Sequence, residues 1–179
     1  MRLKPISVLA FCLFALVKVT VAAPPGDVCS LPDDLRHELA VAYPGAKVID
    51  LSDLGEDDRG FFQKDHGDAC PGLVKVDFYG DGKPTFALVL TTKGVKAEQT
   101  ELVVAHRVRE QWRMAVMDTG GASRYAPVVW SQPPGQYQDI YGKKTVRATW
   151  PVIVFCKYES WAILYARTGR RVAKIWLHD

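Results

Sequence analysis

The residues best suited to chemistry cluster in one stretch. Lys64-Asp65-His66-Gly67-Asp68-Ala69-Cys70 sets a histidine beside two carboxylates and a thiol. A reduced Cys70 activated by His66 would make a nucleophilic pair, and His66 with Asp65 and Asp68 would make a hydrolytic constellation. Two or three neighbours on a loop do not by themselves define a metal geometry. The remaining histidines, His37, His106 and His178, stand apart in sequence. HExxH, GxSxG, the P-loop and GxGxxG are all missing. The chain has no asparagine, which excludes a Cys-His-Asn arrangement and N-linked glycosylation.

A second group is Asp77-Phe78-Tyr79-Gly80-Asp81-Gly82-Lys83-Pro84-Thr85. It resembles the calcium loop of FG-GAP and VCBS repeats, which place carboxylates at the first, third, fifth and ninth positions. The resemblance implies Asp77 and Asp81 as ligands. Tyr79 and Thr85 stand where the other two acids belong, and calcium takes six to eight oxygens. The match spans nine residues and occurs once. The plain alternative is a turn that uses Asp-Gly for its backbone geometry. No cofactor other than calcium is suggested, and the chain as a whole looks like an exported bacterial protein.

A third group is aromatic. Trp130, Tyr137 and Tyr141 accompany Pro133, Pro134 and Gly135 in a long segment, 131–144. Amphipathic rings on long loops are common binding surfaces. The alternative is that these rings pin the loop to its own sheet.

These groups need a compartment and a scaffold. Arg2 and Lys4 precede an apolar run from Ile6 to Val17, interrupted by Ser7 alone, and Val21-Ala22-Ala23 supplies small residues for cleavage. Twelve residues are too few to cross a bilayer. Residues 1–23 therefore read as a signal peptide and 24–179 as one exported domain, periplasmic or secreted, with no membrane span after processing. The segment carries Arg2, Lys4 and Lys18 and no acid, so it accounts for the whole formal charge of +3. A neutral domain lacks the positive field of a nucleic-acid binder.

The charge is unevenly spread. Eleven acids and only Arg36, Lys47, Arg59 and Lys64 lie between Asp27 and Asp68, while the rest of the domain is basic. Either the two parts attract each other and dock, or the acidic part faces a cationic partner. Cys29, Cys70 and Cys156 remain after export. An oxidising compartment allows one bridge; Cys29–Cys70 with Cys156 buried is favoured, and Cys70–Cys156 stays open.

Residues 30–43 read as a helix capped by Ser30, with Leu35, Leu39 and Ala42 on one stripe. Pro44-Gly45 stops it, and Ala46 to Leu51 reads as a strand. Residues 52–72 read as an acidic loop with at most a helical turn near 56–64, the Phe61-Phe62 pair plugging the core. From Leu73 onward, short runs rich in Val, Ile, Phe and Thr alternate with turns. The expected class is α+β: a mainly antiparallel, meandering sheet with one N-terminal helix packed on it, or else a small barrel or sandwich. The expected role is a non-catalytic binding protein, of inhibitor or immunity type, with a protein partner. The alternatives are an envelope hydrolase using His66 and a structural module with a residual calcium loop.

Overall fold

The computed structural model describes residues 28–93, 98–121 and 126–178. The signal peptide, expected at 1–23, and part of the glycine-rich joint at 120–123 lie outside them. Helix α1 spans Asp33–Ala42 and α2 spans Glu56–His66. Between them lie β1 (Lys47–Val48) and one turn of 3-10 helix (Leu51–Asp53). Ten longer strands follow: β2 (Leu73–Val76), β3 (Thr85–Lys93), β4 (Glu98–Val108), β5 (Gln111–Gly121), β6 (Val128–Gln132), β7 (Gly135–Gln138), β8 (Thr145–Ala148), β9 (Val152–Lys157), β10 (Trp161–Thr168), then β11 (Arg171–His178).

Every recorded strand pairing is antiparallel. The first sheet runs β1-β3-β4-β5, with β2 also on β3. β1 pairs with Leu90 and Thr91 and β2 with Thr85 to Leu88, so the two short strands lie end to end along one edge of β3. The second sheet runs β11-β10-β9-β6, and β7-β8 form a separate hairpin. Neither sheet closes into a barrel.

Period-two alternation sets the layers. Ala87, Val89, Leu102 and Val104 of the first sheet face Ile153, Phe155, Ile163 and Tyr165 of the second, forming the central core. The alternate residues Phe86, Leu88, Leu90, Val103 and Ala105 face Leu31, Leu35 and Leu39 under α1. On the far side, Val152, Val154, Leu164 and Ala166 pack beneath Val146 and Ala148 of the β7-β8 hairpin. β3 and β9 are thus covered on both faces, which is why they read as unbroken apolar runs. At one edge Asp118 of β5 accepts hydrogen bonds from Tyr165 of β10 and Lys174 of β11, joining the two sheets.

The structure departs from the sequence reading in four places. A single helix was expected and there are two. α2 has three acids in its first turn, Lys64 and His66 in its last, and only Phe62 fully buried. Its polarity and Gly60 hide it from periodicity, while the end charges complement its dipole. α1 starts at Asp33 with Pro32 at the cap position and no side-chain cap, so Ser30 does not serve. Its stripe is Leu31, Leu35 and Leu39, and Ala42 is exposed. The Ala46–Leu51 strand shrinks to two residues because Asp50 turns the chain: its carboxylate accepts from the Ser52 N–H, and its own N–H donates to the Asp53 carboxylate. The segment 131–144 is not one long loop: it holds the end of β6 and all of β7, which pairs with β8 just beyond it.

Cys29 and Cys70 stand at disulfide distance, with Cα atoms 5.1 Å apart, and tie the approach to α1 to the approach to β2. Cys156 is free and buried.

Candidate functional site

His66, at the C-terminal end of α2, lies between two aromatic rings. Its centroid is 4.8 Å from that of Phe62 and 4.8 Å from that of Trp130. Burial lowers its pKa and Asp65 partly offsets this, which favours the uncharged ring. Cys70 pairs with Cys29 and has no thiol to offer His66. Asp65 and Asp68 are exposed, and neither bonds to the imidazole. Among the described residues no group of three His, Cys, Asp or Glu side chains is placed to hold a metal. Neighbours in sequence are therefore not assembled here into a nucleophile, a base and an orienting acid.

The loop before β3 brings together a different set. Asp77 accepts from the backbone N–H groups of Gly80 (2.8 Å), Asp81 (3.2 Å) and Gly82 (3.1 Å). Asp81 accepts from the Lys83 N–H and meets His106 Nε2 at 3.1 Å. The other imidazole nitrogen, Nδ1, lies 3.1 Å from Thr85 Oγ1. Tyr79 stacks on His106 at 4.4 Å, and Arg167 lies over Tyr79 at 5.0 Å. Asp77 and Asp81 thus organise the turn by accepting its backbone N–H groups. Thr85, His106 and Asp81 repeat the residue types of a hydrolytic triad. Thr85 is fully buried, so no substrate carbonyl can reach its hydroxyl. Gly80 has φ +67°, and a Cβ there would come within 2.1 Å of the Trp150 ring.

The three aromatics expected to bind part company. Trp130 and Tyr137 pack on the outer face of the second sheet, and Tyr137 donates to the Pro133 carbonyl. Tyr141 stands at the hairpin tip, 58% exposed, with Lys143 near its ring. Hydrogen bonds tie the tip down: Asp139 accepts from the N–H groups of Lys143 and Lys144, and the Ile140 N–H donates to the Trp176 carbonyl.

The acidic part presents one coherent surface. On α2 the positions 58, 62 and 66 turn inward. Asp57, Phe61 and Asp65, each four apart, form the neighbouring outward stripe. Phe61 was expected in the core; instead Phe62 alone fills it, and Phe61 is 42% exposed, its ring 5.8 Å from that of Tyr158. Glu56, Asp57, Asp65 and Asp68 are exposed, and none of them makes an ion pair among the described residues. Asp58 sits below them. Burial raises its pKa, Glu159 and Asp57 add to this, and Lys157 opposes it.

The acidic part meets the basic part at Asp34 and, electrostatically, at Asp58 beside Lys157. Asp34 pairs with Arg107 at 3.2 Å, whereas Asp33, Asp50 and Asp53 pair within their own segment.

No protein-family model matches the chain, and no curated protein or solved structure matches it either.

The residues that carry the reading therefore come from geometry. Phe61 escaped the sequence analysis because an adjacent Phe pair gives no hint of which ring points inward. The signal was the i, i+4 spacing of Asp57, Phe61 and Asp65, visible once the helix and its phase are known.

Proposed function

We propose that the chain is an exported, non-catalytic binding protein that docks a cationic protein partner on the outer face of α2. The observation that carries this is an exposed aromatic ring set among acids that the rest of the fold does not neutralise. Phe61 lies between Asp57 and Asp65, with Glu56 and Asp68 beside them. A partly exposed ring against a second ring is the kind of anchor that dominates protein interfaces. Surrounding acids steer a basic partner and exclude acidic ones. Export is supported by the N-terminal pattern and by the Cys29–Cys70 pair. An inhibitor or an immunity-type protein is the functional class that matches such a surface.

Affinity capture tests this. The tagged, oxidised chain is passed through envelope extract and culture medium, and bound proteins are identified by mass spectrometry. The expected partner is basic, is retained in stoichiometric amount, and elutes with salt. A column that stays empty at low salt from both sources would count against a protein partner in that cell.

A further inference from the structure

Beyond the N-terminal end of α1, the outer face of the first sheet opens into a cleft of about 320 Å³. That is the small end of ligand-site volumes. Strand register assembles its walls. Lys75 stands opposite Phe86, and Arg107 opposite Trp112. Phe86 and Trp112 meet edge to face at 5.6 Å. Lys75 Nζ lies 6.0 Å from the Phe86 ring centre, and the Arg107 guanidinium lies 5.6 Å from that of Trp112. Lys83 adds a third cation.

Two acids share the cleft, and both are turned to Arg107: Asp34 at 3.2 Å and Glu110 at 3.6 Å. Lys75 and Lys83 make no ion pair among the described residues, although Lys83 acts on Asp81 electrostatically. Two buried donors, Trp112 Nε1 and Arg107 Nε, have no hydrogen-bond partner. Buried donors in folded proteins nearly always have one.

We propose that this cleft binds a small aromatic carboxylate. Its ring packs against Phe86 and Trp112, where edge and face contacts favour another aromatic group. Its carboxylate lies among Lys75, Lys83 and Arg107. The guanidinium now covers the indole and leans to Asp34. A carboxylate that draws it away takes Arg107 Nε–H in a forked, charge-assisted pair and uncovers the Trp112 N–H as a further donor. Inorganic phosphate offers the charge without the ring and is a poor fit. The site shares no residue with the α2 face, so either can fail without the other.

The test is a titration of the 15N-labelled, oxidised chain followed by proton–nitrogen NMR. The Trp112 indole N–H is assigned with Trp112→Phe, which keeps an aromatic ring in place. Benzoate and indole-3-acetate are expected to move that signal and saturate. Lys75→Ala combined with Lys83→Ala, both exposed, is expected to weaken binding about tenfold, as for loss of charge-assisted contacts. Trp112→Phe is expected to weaken it several-fold, read from the backbone N–H signals of Thr85 and Phe86. A Trp112 signal unmoved by either acid would overturn the proposal. So would phosphate moving it as strongly as benzoate, or the double lysine variant binding as tightly as the wild type.

Discussion

Removing the Cys29–Cys70 bridge is the perturbation whose size the structure fixes best. The two residues are 41 apart in sequence, and the closed loop contains α1, β1 and α2. Releasing a loop of that length restores chain entropy to the unfolded state worth about 4 kcal/mol. Disulfides typically contribute about 2–4 kcal/mol, so the double variant Cys29→Ala/Cys70→Ala is expected to lose about that much. In a domain of this size each kcal/mol moves the melting temperature by roughly 2–4 °C, giving a drop of about 4–16 °C. Cys70 is buried, so alanine also removes a little packing and pushes in the same direction. The assay is urea unfolding followed by tryptophan fluorescence, with intact mass under denaturing alkylation to count thiols. Wild type should expose one alkylated cysteine, Cys156, from the domain after residue 23. A loss under about 0.5 kcal/mol, the size of a neutral surface change, would refute the reasoning. Alkylation of all three cysteines without reductant would do so more directly.

Further outcomes follow from other sites. Burial, then Asp58, pushes the Cys156 thiol up to about 12, so at pH 8 a thiol reagent should label it only at the rate of unfolding; fast labelling of the native protein would contradict this. Burial pushes the Asp118 carboxyl up, but hydrogen bonds from Lys174, Tyr165 and the Thr119 N–H outweigh it and hold its pKa low. A lowered folded value makes this contribution present above the ordinary aspartate pKa of about 3.9 and lost as pH falls through the folded value. Asp118→Asn should therefore cost about 1–3 kcal/mol at pH 7 and make the acid side of the stability profile shallower, measured by urea midpoints against pH. Asp77→Ala, which strands three N–H donors of the turn, should cost about 1 kcal/mol, like loss of a helix cap. Calcium and chelator should leave the wild-type melting temperature unchanged, and a clear rise with calcium would favour Asp77 and Asp81 as ligands instead. Gly80→Ala combines a positive φ with a collision against Trp150 and should cost about 1–3 kcal/mol in the same melt.

The strand half of the fold was legible because its physics is local. Doubly covered strands such as Val152–Lys157 read as unbroken apolar runs, and their turns carry Gly, Asp or Lys. Packing β7-β8 onto the second sheet was not legible, because Gly-Gln-Tyr-Gln has one ring in four residues and takes its order from Tyr137 lying on that sheet. α2 was hidden for the opposite reason. Its stability comes from Phe62 in the core and from charges at its ends, and single-sequence periodicity sees neither. At the sites, the disulfide was legible from the favoured Cys29–Cys70 pairing. The Asp81–His106–Thr85 chain was not, because it joins residues 21 and 25 positions apart through strand register. The cleft of Phe86 and Trp112 was invisible for the same reason: residues from β2, β3, β4 and β5 meet only when the sheet forms.

Three parallel capture columns decide whether the α2 face is the docking surface. One column carries wild type, one Phe61→Ser and one Tyr141→Ser. Both substitutions trim an exposed ring, so neither should unfold the domain, which circular dichroism checks. A basic partner held by wild type is expected to be lost from the Phe61→Ser column and kept on the Tyr141→Ser column. Retention on Phe61→Ser with loss on Tyr141→Ser would contradict it and move the interface to the tip of the β7-β8 hairpin.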